Sequence, residues 1–173
     1  MRVFIALLFP VQVVNKLSEK INELSKDYRG QYTLVNNLHL TLFYIGEVSK
    51  DQLKLVITSM KNIEFERFSY TLRGISSFKK KQRLVYVSID YKKELMQLRE
   101  RVVEALVKTG LEIEFSLFKP HVTLGRKVMI DEEWLTKLDF GPIDTEAIKI
   151  SVMESKQING VLRYIEIASS KFQ

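Results

Sequence analysis

His39-Leu40-Thr41-Leu42 and His121-Val122-Thr123-Leu124 contain the only two histidines of this 173-residue chain, and both open the pattern His-x-Thr-Leu. The chain holds 8 Thr and 21 Leu. With those frequencies taken as independent, both histidines would be followed by x-Thr-Leu in roughly 3 of 100,000 chains of this composition. The recurrence is therefore a feature of the fold. In a strand, residues i and i+2 share a face about 6.7 Å apart along the axis. His39 and Thr41 should then point one way while Leu40 and Leu42 enter the core. His121 and Thr123 should do the same, with Val122 and Leu124 inside.

Working outward, the elements around each motif also recur. Val3 to Phe9, between Arg2 and Pro10, is an apolar run that reads as a buried strand rather than a signal peptide, since no small-residue cleavage site follows. Val11, Val14, Leu17, Ile21 and Leu24 fall at helical spacing behind Pro10. A strand spans Leu38 to Ile45. Ser49 and Gln52 form a capping-box signature for a helix carrying Leu53, Val56, Ile57 and Met60, and Phe65 to Ile75 alternates as a strand. The order then repeats. Leu84 to Ile89 is a strand, Leu95, Leu98, Val102 and Leu106 line a helix ending at Gly110, and Pro120 to Gly125 is a strand. Asp131 caps a short helix with Trp134, Leu135 and Leu138, and Ile143 to Met153 is a strand. Val161 to Ala168 adds a last strand without a counterpart.

Arg2 to Arg83 is 81 residues and His39 to His121 is 82, so one register relates the two halves, about 1–78 and 82–156. With 3 Pro and 7 Gly in the whole chain and no rich linker between the halves, one domain over 1–173 is expected. The expected fold class is α+β: bilobal and pseudo-twofold, a duplicated strand–helix–strand–helix–strand unit, with mostly antiparallel sheets lining a central cleft and helices outside.

Composition narrows the chemistry. The chain has no cysteine, which excludes disulfides, thiolate metal sites and thiol nucleophiles and points to a reducing, cytoplasmic setting. Nothing approaches the roughly 20 apolar residues of a membrane span. Lys plus Arg number 27 against 21 Asp plus Glu, a net charge of +6 with pI near 9.4, a balance suited to a polyanion such as RNA.

Two facing His–Thr pairs supply two imidazoles and two hydroxyls around one point. In-line displacement at phosphorus wants a base behind the attacking oxygen and an acid behind the leaving one, roles histidine fills near neutral pH. Threonine hydroxyls can donate to the non-bridging oxygens. One such motif alone would be read as a solvated strand face. A metal site is the competing use of paired histidines, but the neighbouring Asn36, Asn37, Leu38, Phe43 and Lys119 add no carboxylate and no third His. No metal and no cofactor are expected.

The two motifs, the opening Met1-Arg2-Val3-Phe4-Ile5-Ala6, the segments Asn37-Leu38-His39-Leu40-Thr41-Leu42 and Pro120-His121-Val122-Thr123-Leu124, and the nearby Arg126 resemble the two-histidine (2H) phosphoesterases. The branch most similar is that of the RNA 2′,3′-cyclic phosphodiesterases, first named 2′-5′ RNA ligases. The resemblance runs over essentially the whole chain and implies metal-independent opening of 2′,3′-cyclic phosphates on RNA 3′ ends, tRNA fragments among them, to 2′-phosphomonoesters. It implies His39 as general acid, His121 as general base, Thr41 and Thr123 as phosphate holders and Arg126 as a phosphate partner. A monomer acting away from membranes is expected. Related activities stay open: turnover of 2′-5′ oligonucleotides or small cyclic nucleotides, or RNA-end binding without turnover.

Two departures stand out. Phe43 follows the first motif where relatives often carry a basic residue, and Thr33-Leu34-Val35-Asn36 lacks the usual prolines. By strand parity Phe43 shares the face of His39 and could stack on a base; a core role fits equally. Phe115 and Phe118, before the second motif, are either stacking platforms or core, and Tyr164 is equally ambiguous. Lys119 is a further candidate contact. Lys79, Lys80, Lys81 and Arg83 form the densest basic cluster, read as a solvated turn or a track for an RNA backbone.

Overall fold

The apolar run Val3–Leu7 is buried throughout: its strand lies between two others in a sheet, and its side chains pack into clusters on either face. The computed structural model describes residues 1–78 and 83–173; Lys79, Lys80 and Lys81 lie outside them. Among the described residues the strands are β1 (Arg2–Leu7), β2 (Gln31–Tyr32), β3 (Leu40–Glu47), β4 (Phe68–Phe78), β5 (Leu84–Ile89), β6 (His121–Arg126), β7 (Ile143–Ala147), β8 (Lys149–Ile158) and β9 (Val161–Lys171). The helices are α1 (Val11–Asp27), α2 (Lys50–Lys61), α3 (Lys93–Val107) and the short α4 (Glu132–Leu135), with a 3-10 turn at Val35–Asn37.

Two antiparallel sheets result, one in the order β3-β1-β8-β9 and the other β2-β6-β5-β4-β7. Helix burial follows sequence periodicity. The stripe of α1 is Val13, Leu17, Ile21 and Leu24, whereas Val11 is exposed at the first turn. Ser49 and Gln52 close a reciprocal capping box on α2, at 3.2 and 2.8 Å. Leu95, Leu98, Val102 and Leu106 bury one face of α3. All three stripes join Val3, Ile5, Leu7, Val85, Val87, Ile150 and Val152 in one apolar core. Phe4, Ala6 and Met153 make a small separate cluster on the opposite face of the first sheet.

The segment expected as one strand, Ile143 to Met153, is two. Its alternation breaks at the exposed Ile148, and the chain passes there from β7 in one sheet to β8 in the other. The expected Asp131 cap on α4 also differs. Asp131 occupies the capping position but its side chain makes no capping bond and instead pairs with Arg83 at 3.5 Å. Arg83, the described member of the basic cluster, also donates to the Ile130 carbonyl.

The halves related by the 81–82-residue offset are not the two sheets. By that offset β8 corresponds to β4, yet β8 lies beside β1 and β4 beside β5. Each half thus gives its last long strand to the other's sheet. The helices cross as well: α1 packs against β6, and α3 against β3.

Candidate active site

Each motif strand carries a β-bulge at the same place, and the bulges decide which side chains reach the cleft. Ile5 lies opposite Phe43 and Ala6 opposite Thr41, so Leu42 is the extra residue. Val85 lies opposite Gly125 and Tyr86 opposite Thr123, so Leu124 is extra. Up to the bulge the alternation is the expected one. Leu40, Leu42, Val122 and Leu124 are buried, while His39, Thr41, His121 and Thr123 are half-buried and line one cleft of about 650 Å³, within the usual range for small-molecule sites.

Past the bulge parity inverts, and this corrects the placement of Phe43. Phe43 is 3% exposed and belongs to the core, and the next residue, Tyr44, takes the cleft face instead, 57% exposed. In the second half the same step brings Arg126 to the cleft. Tyr44 and Arg126 therefore occupy matching positions, 82 residues apart. The residue that matches Phe43 is Gly125, where a Cβ would stand 2.9 Å from Val128 Cγ2 and 3.1 Å from Tyr32 Cδ1. Only glycine lets β2 lie this close to β6.

Of its two readings, stacking platform or core, Phe118 takes the second. It packs against the core, where it and Phe43 flank the Arg99 guanidinium at 5.5 and 4.6 Å. Phe115 is 71% exposed and stands off the cleft. Lys119 points behind its histidine, its ammonium over the Phe78 and Tyr86 rings at 4.9 and 5.4 Å.

Both imidazoles are held in one tautomer by backbone. Nδ1 of His39 donates to the Asn37 carbonyl at 2.7 Å, and Nδ1 of His121 donates to the Lys119 carbonyl at 2.7 Å. A carbonyl can only accept, so Nδ1 keeps its proton and Nε2 is the atom left to exchange one. Nε2 of His39 meets Thr41 Oγ1 at 2.9 Å. Each ring also sits between two aromatics: Phe4 and Tyr164 at 4.9 and 5.0 Å from His39, and Phe78 and Tyr86 at 5.1 and 5.2 Å from His121.

Burial among these rings, the largest cause, pushes both histidines below the ordinary imidazole value of 6.5, and the Arg126 charge pushes the same way. His121 lowers His39 further, and Lys119 lowers His121. The carbonyl bonds to Asn37 and Lys119 oppose these effects only in part. The sign for stability follows. Below about pH 6.5 the unfolded chain takes up protons that the folded rings resist, so stability is greatest above that value and falls as the pH drops. Thermal melts should show Tm declining from pH 7.5 to pH 5, with a shallower slope in a His39→Gln/His121→Gln variant. An equal slope in that variant would refute the assignment.

Among the described residues no three His, Asp or Glu side chains stand together so as to hold a metal ion, and no helix is long and apolar enough to cross a membrane.

Comparison with known proteins agrees with this layout. The family profile of the 2′-5′ RNA ligase superfamily matches residues 13–157. The chain belongs to that superfamily, the two-histidine phosphoesterases. It is 29% identical to the RNA 2′,3′-cyclic phosphodiesterase of Thermotoga maritima, over 90% of this chain and 87% of that one. With the enzyme of the same name from Aeropyrum pernix it shares 34% identity over 70% of this chain and 72% of the relative. Escherichia coli LigT in its apo form superposes with a TM-score of 0.86 at 22% identity, covering 99% of this chain and 97% of LigT, which establishes the shared fold. Seen as a superfamily member, the chain shows a site that its motifs only partly announce. Asn37, Tyr44 and the β8–β9 hairpin, through Ser155 and Leu162, all reach the cleft. Asn37 was visible in sequence only as a neighbour of the motif, and Tyr44 was hidden by the bulge. Gln31 and Tyr32 also line the cleft, from a strand too short to show any periodicity.

Proposed function

We propose that this chain hydrolyses the 2′,3′-cyclic phosphate at RNA 3′ ends to a 2′-phosphomonoester, without metal, by two-histidine acid–base catalysis. The observation that carries the reading is the pair of His–Thr motifs facing one cleft, each imidazole with Nδ1 locked and Nε2 free to exchange a proton. The name borne by its relatives in Thermotoga and Aeropyrum supports the same substrate.

Nε2 of His121 takes a proton from water as its oxygen attacks phosphorus. Imidazolium His39 gives its Nε2 proton to the 3′ oxygen as the P–O3′ bond breaks. The product keeps phosphate on the 2′ oxygen and a hydroxyl at 3′, and the two rings exchange protons with solvent to reset. Thr41, Thr123 and Arg126 hold the non-bridging oxygens. Burial by itself tips both rings towards the neutral form. The negative phosphodiester supplies the opposite charge that keeps His39 protonated. The pH–rate profile is expected to be bell-shaped, with apparent pKa values belonging to the pair.

The test is purified protein with EDTA on a short RNA ending in a 2′,3′-cyclic phosphate, with products resolved as 2′- or 3′-phosphate. Conversion to the 2′-phosphate is expected. A 3′-phosphate product would reverse the regiochemistry. No conversion of RNA, with turnover of cyclic mononucleotides, would move the substrate class to small nucleotides.

A further inference from the structure

Asn37 lies two residues before His39, at the end of the 3-10 turn, with only 5% of its surface exposed. Its side chain does not face the motif. Nδ2 donates to the Leu162 carbonyl at 2.9 Å and Oδ1 accepts from the Tyr164 N–H at 3.0 Å. Those two groups flank Arg163 on β9, and a neighbouring strand would use the same two to form a ladder. β9 is the outer strand of its sheet, so the Asn37 amide stands in for a peptide unit where the sheet curls back on the turn before β3. The backbone carbonyl of the same residue takes the Nδ1 proton of His39. Tyr164, whose N–H the amide holds, packs its ring edge-on against His39 and against Phe4, each at 5.0 Å.

We infer that Asn37 is a positioning residue for His39: its side-chain amide clasps β9 so that Tyr164 walls the imidazole that its own carbonyl orients. This rests on the reading of the cleft as the hydrolytic centre. Among the described residues the second half has no such clasp. The residue matching Asn37 is Lys119, whose carbonyl serves His121 while its side chain lies on Phe78 and Tyr86. The action of Asn37 is therefore confined to one of the two imidazoles.

The charged and titratable groups facing His39 are His121 and Arg126 from β6 and the Tyr164 phenol from β9, with Tyr44 on its own strand lining the same cleft. Burial is the main cause of the low His39 value, so opening the Tyr164 wall should raise it. As the general acid, His39 governs the alkaline limb of the rate profile, and that limb should move to higher pH.

The experiment compares wild type, Asn37→Ala, Tyr164→Leu and the double variant by NMR titration of the two histidine rings, Tyr164 amide exchange and single-turnover rate. Asn37→Ala should raise the His39 value, leave that of His121 in place, expose the Tyr164 amide to exchange and lower kcat about 10-fold or more, since misplacing a group by about 1 Å can cost about 10²-fold. In the Tyr164→Leu background the Asn37→Ala shift should largely vanish, because both changes remove one wall. An unchanged His39 titration and Tyr164 exchange in Asn37→Ala would overturn the inference, as would a full shift persisting in the double variant. Should Asn37→Ala fail to fold, Asn37→Ser carries the same measurements. The ring titrations are read on free protein, so they decide the role of Asn37 even if no cyclic phosphate is hydrolysed.

Discussion

Replacement of His121 or His39 by alanine is expected to lower kcat on a 2′,3′-cyclic phosphate by about 10³-fold or more, within the 10²–10⁴-fold that a positioned acid or base contributes. Neither ring has an obvious substitute. Arg126 lines the same cleft, but a guanidinium is a donor and not a proton-transfer group. The double variant should be little worse than the poorer single variant, because acid and base act on one transition state and their effects do not add. Single-turnover rates with EDTA present give the comparison. A single variant retaining a tenth or more of wild-type kcat would sink the assignment of that histidine. The double variant losing the summed effect of both would argue that the two act in separate steps.

The second large effect concerns the hydroxyls. Thr41→Val and Thr123→Val keep the side-chain shape and remove one donor each, and each should lower kcat/KM about 10²-fold, the lower end of what a donor to developing charge supplies. Their consequences differ in one respect. Thr41 Oγ1 is bonded to His39 Nε2 in the free protein, so the hydroxyl must turn from imidazole to phosphate when substrate arrives. Thr41→Val should therefore also change the His39 titration in the free protein, while Thr123→Val should not. Thr→Ser at either position keeps the hydroxyl and should restore most of the rate. Valine variants with wild-type kcat/KM would mean that the hydroxyls face phosphate without holding it.

Much of this was legible in the sequence because it depends on local periodicity. The alternation through His39-Leu40-Thr41-Leu42, the box at Ser49 and Gln52, and the helical stripe ending at Leu106 are all set within a few residues. What escaped depends on pairing between distant segments. The bulge at Leu42 exists only because β3 lies against β1 in a particular register, and that single extra residue moved Phe43 into the core and Tyr44 to the cleft. At Ile148 the apolar parity changes, from Ile143 and Ala147 to Ile148, Ile150 and Val152, but which sheet each side joins is decided only by pairing with distant strands. Asn37 offers no periodic signal at all, because its partners lie 125 and 127 residues away on β9. The aromatic pair around His121 draws Phe78 from β4 and Tyr86 from β5, neighbours that no spacing along the chain reveals.

The exchange of last strands between the halves bears on how the chain is made. Arg2 pairs with Ser155 across β1 and β8, so the sheet beside His39 lacks its third strand until Lys149–Ile158 has left the ribosome. Contacts of such long sequence separation pay loop-closure entropy early and return stability late. The two repeats, though related by one register, cannot condense in turn as beads on a string. The first to be synthesised must wait, with the β1 edge open, for the strand Lys149–Ile158 of the second repeat. The walls of the cleft around His39, Tyr164 of β9 among them, are thus complete only once both strands of the β8–β9 hairpin have been made.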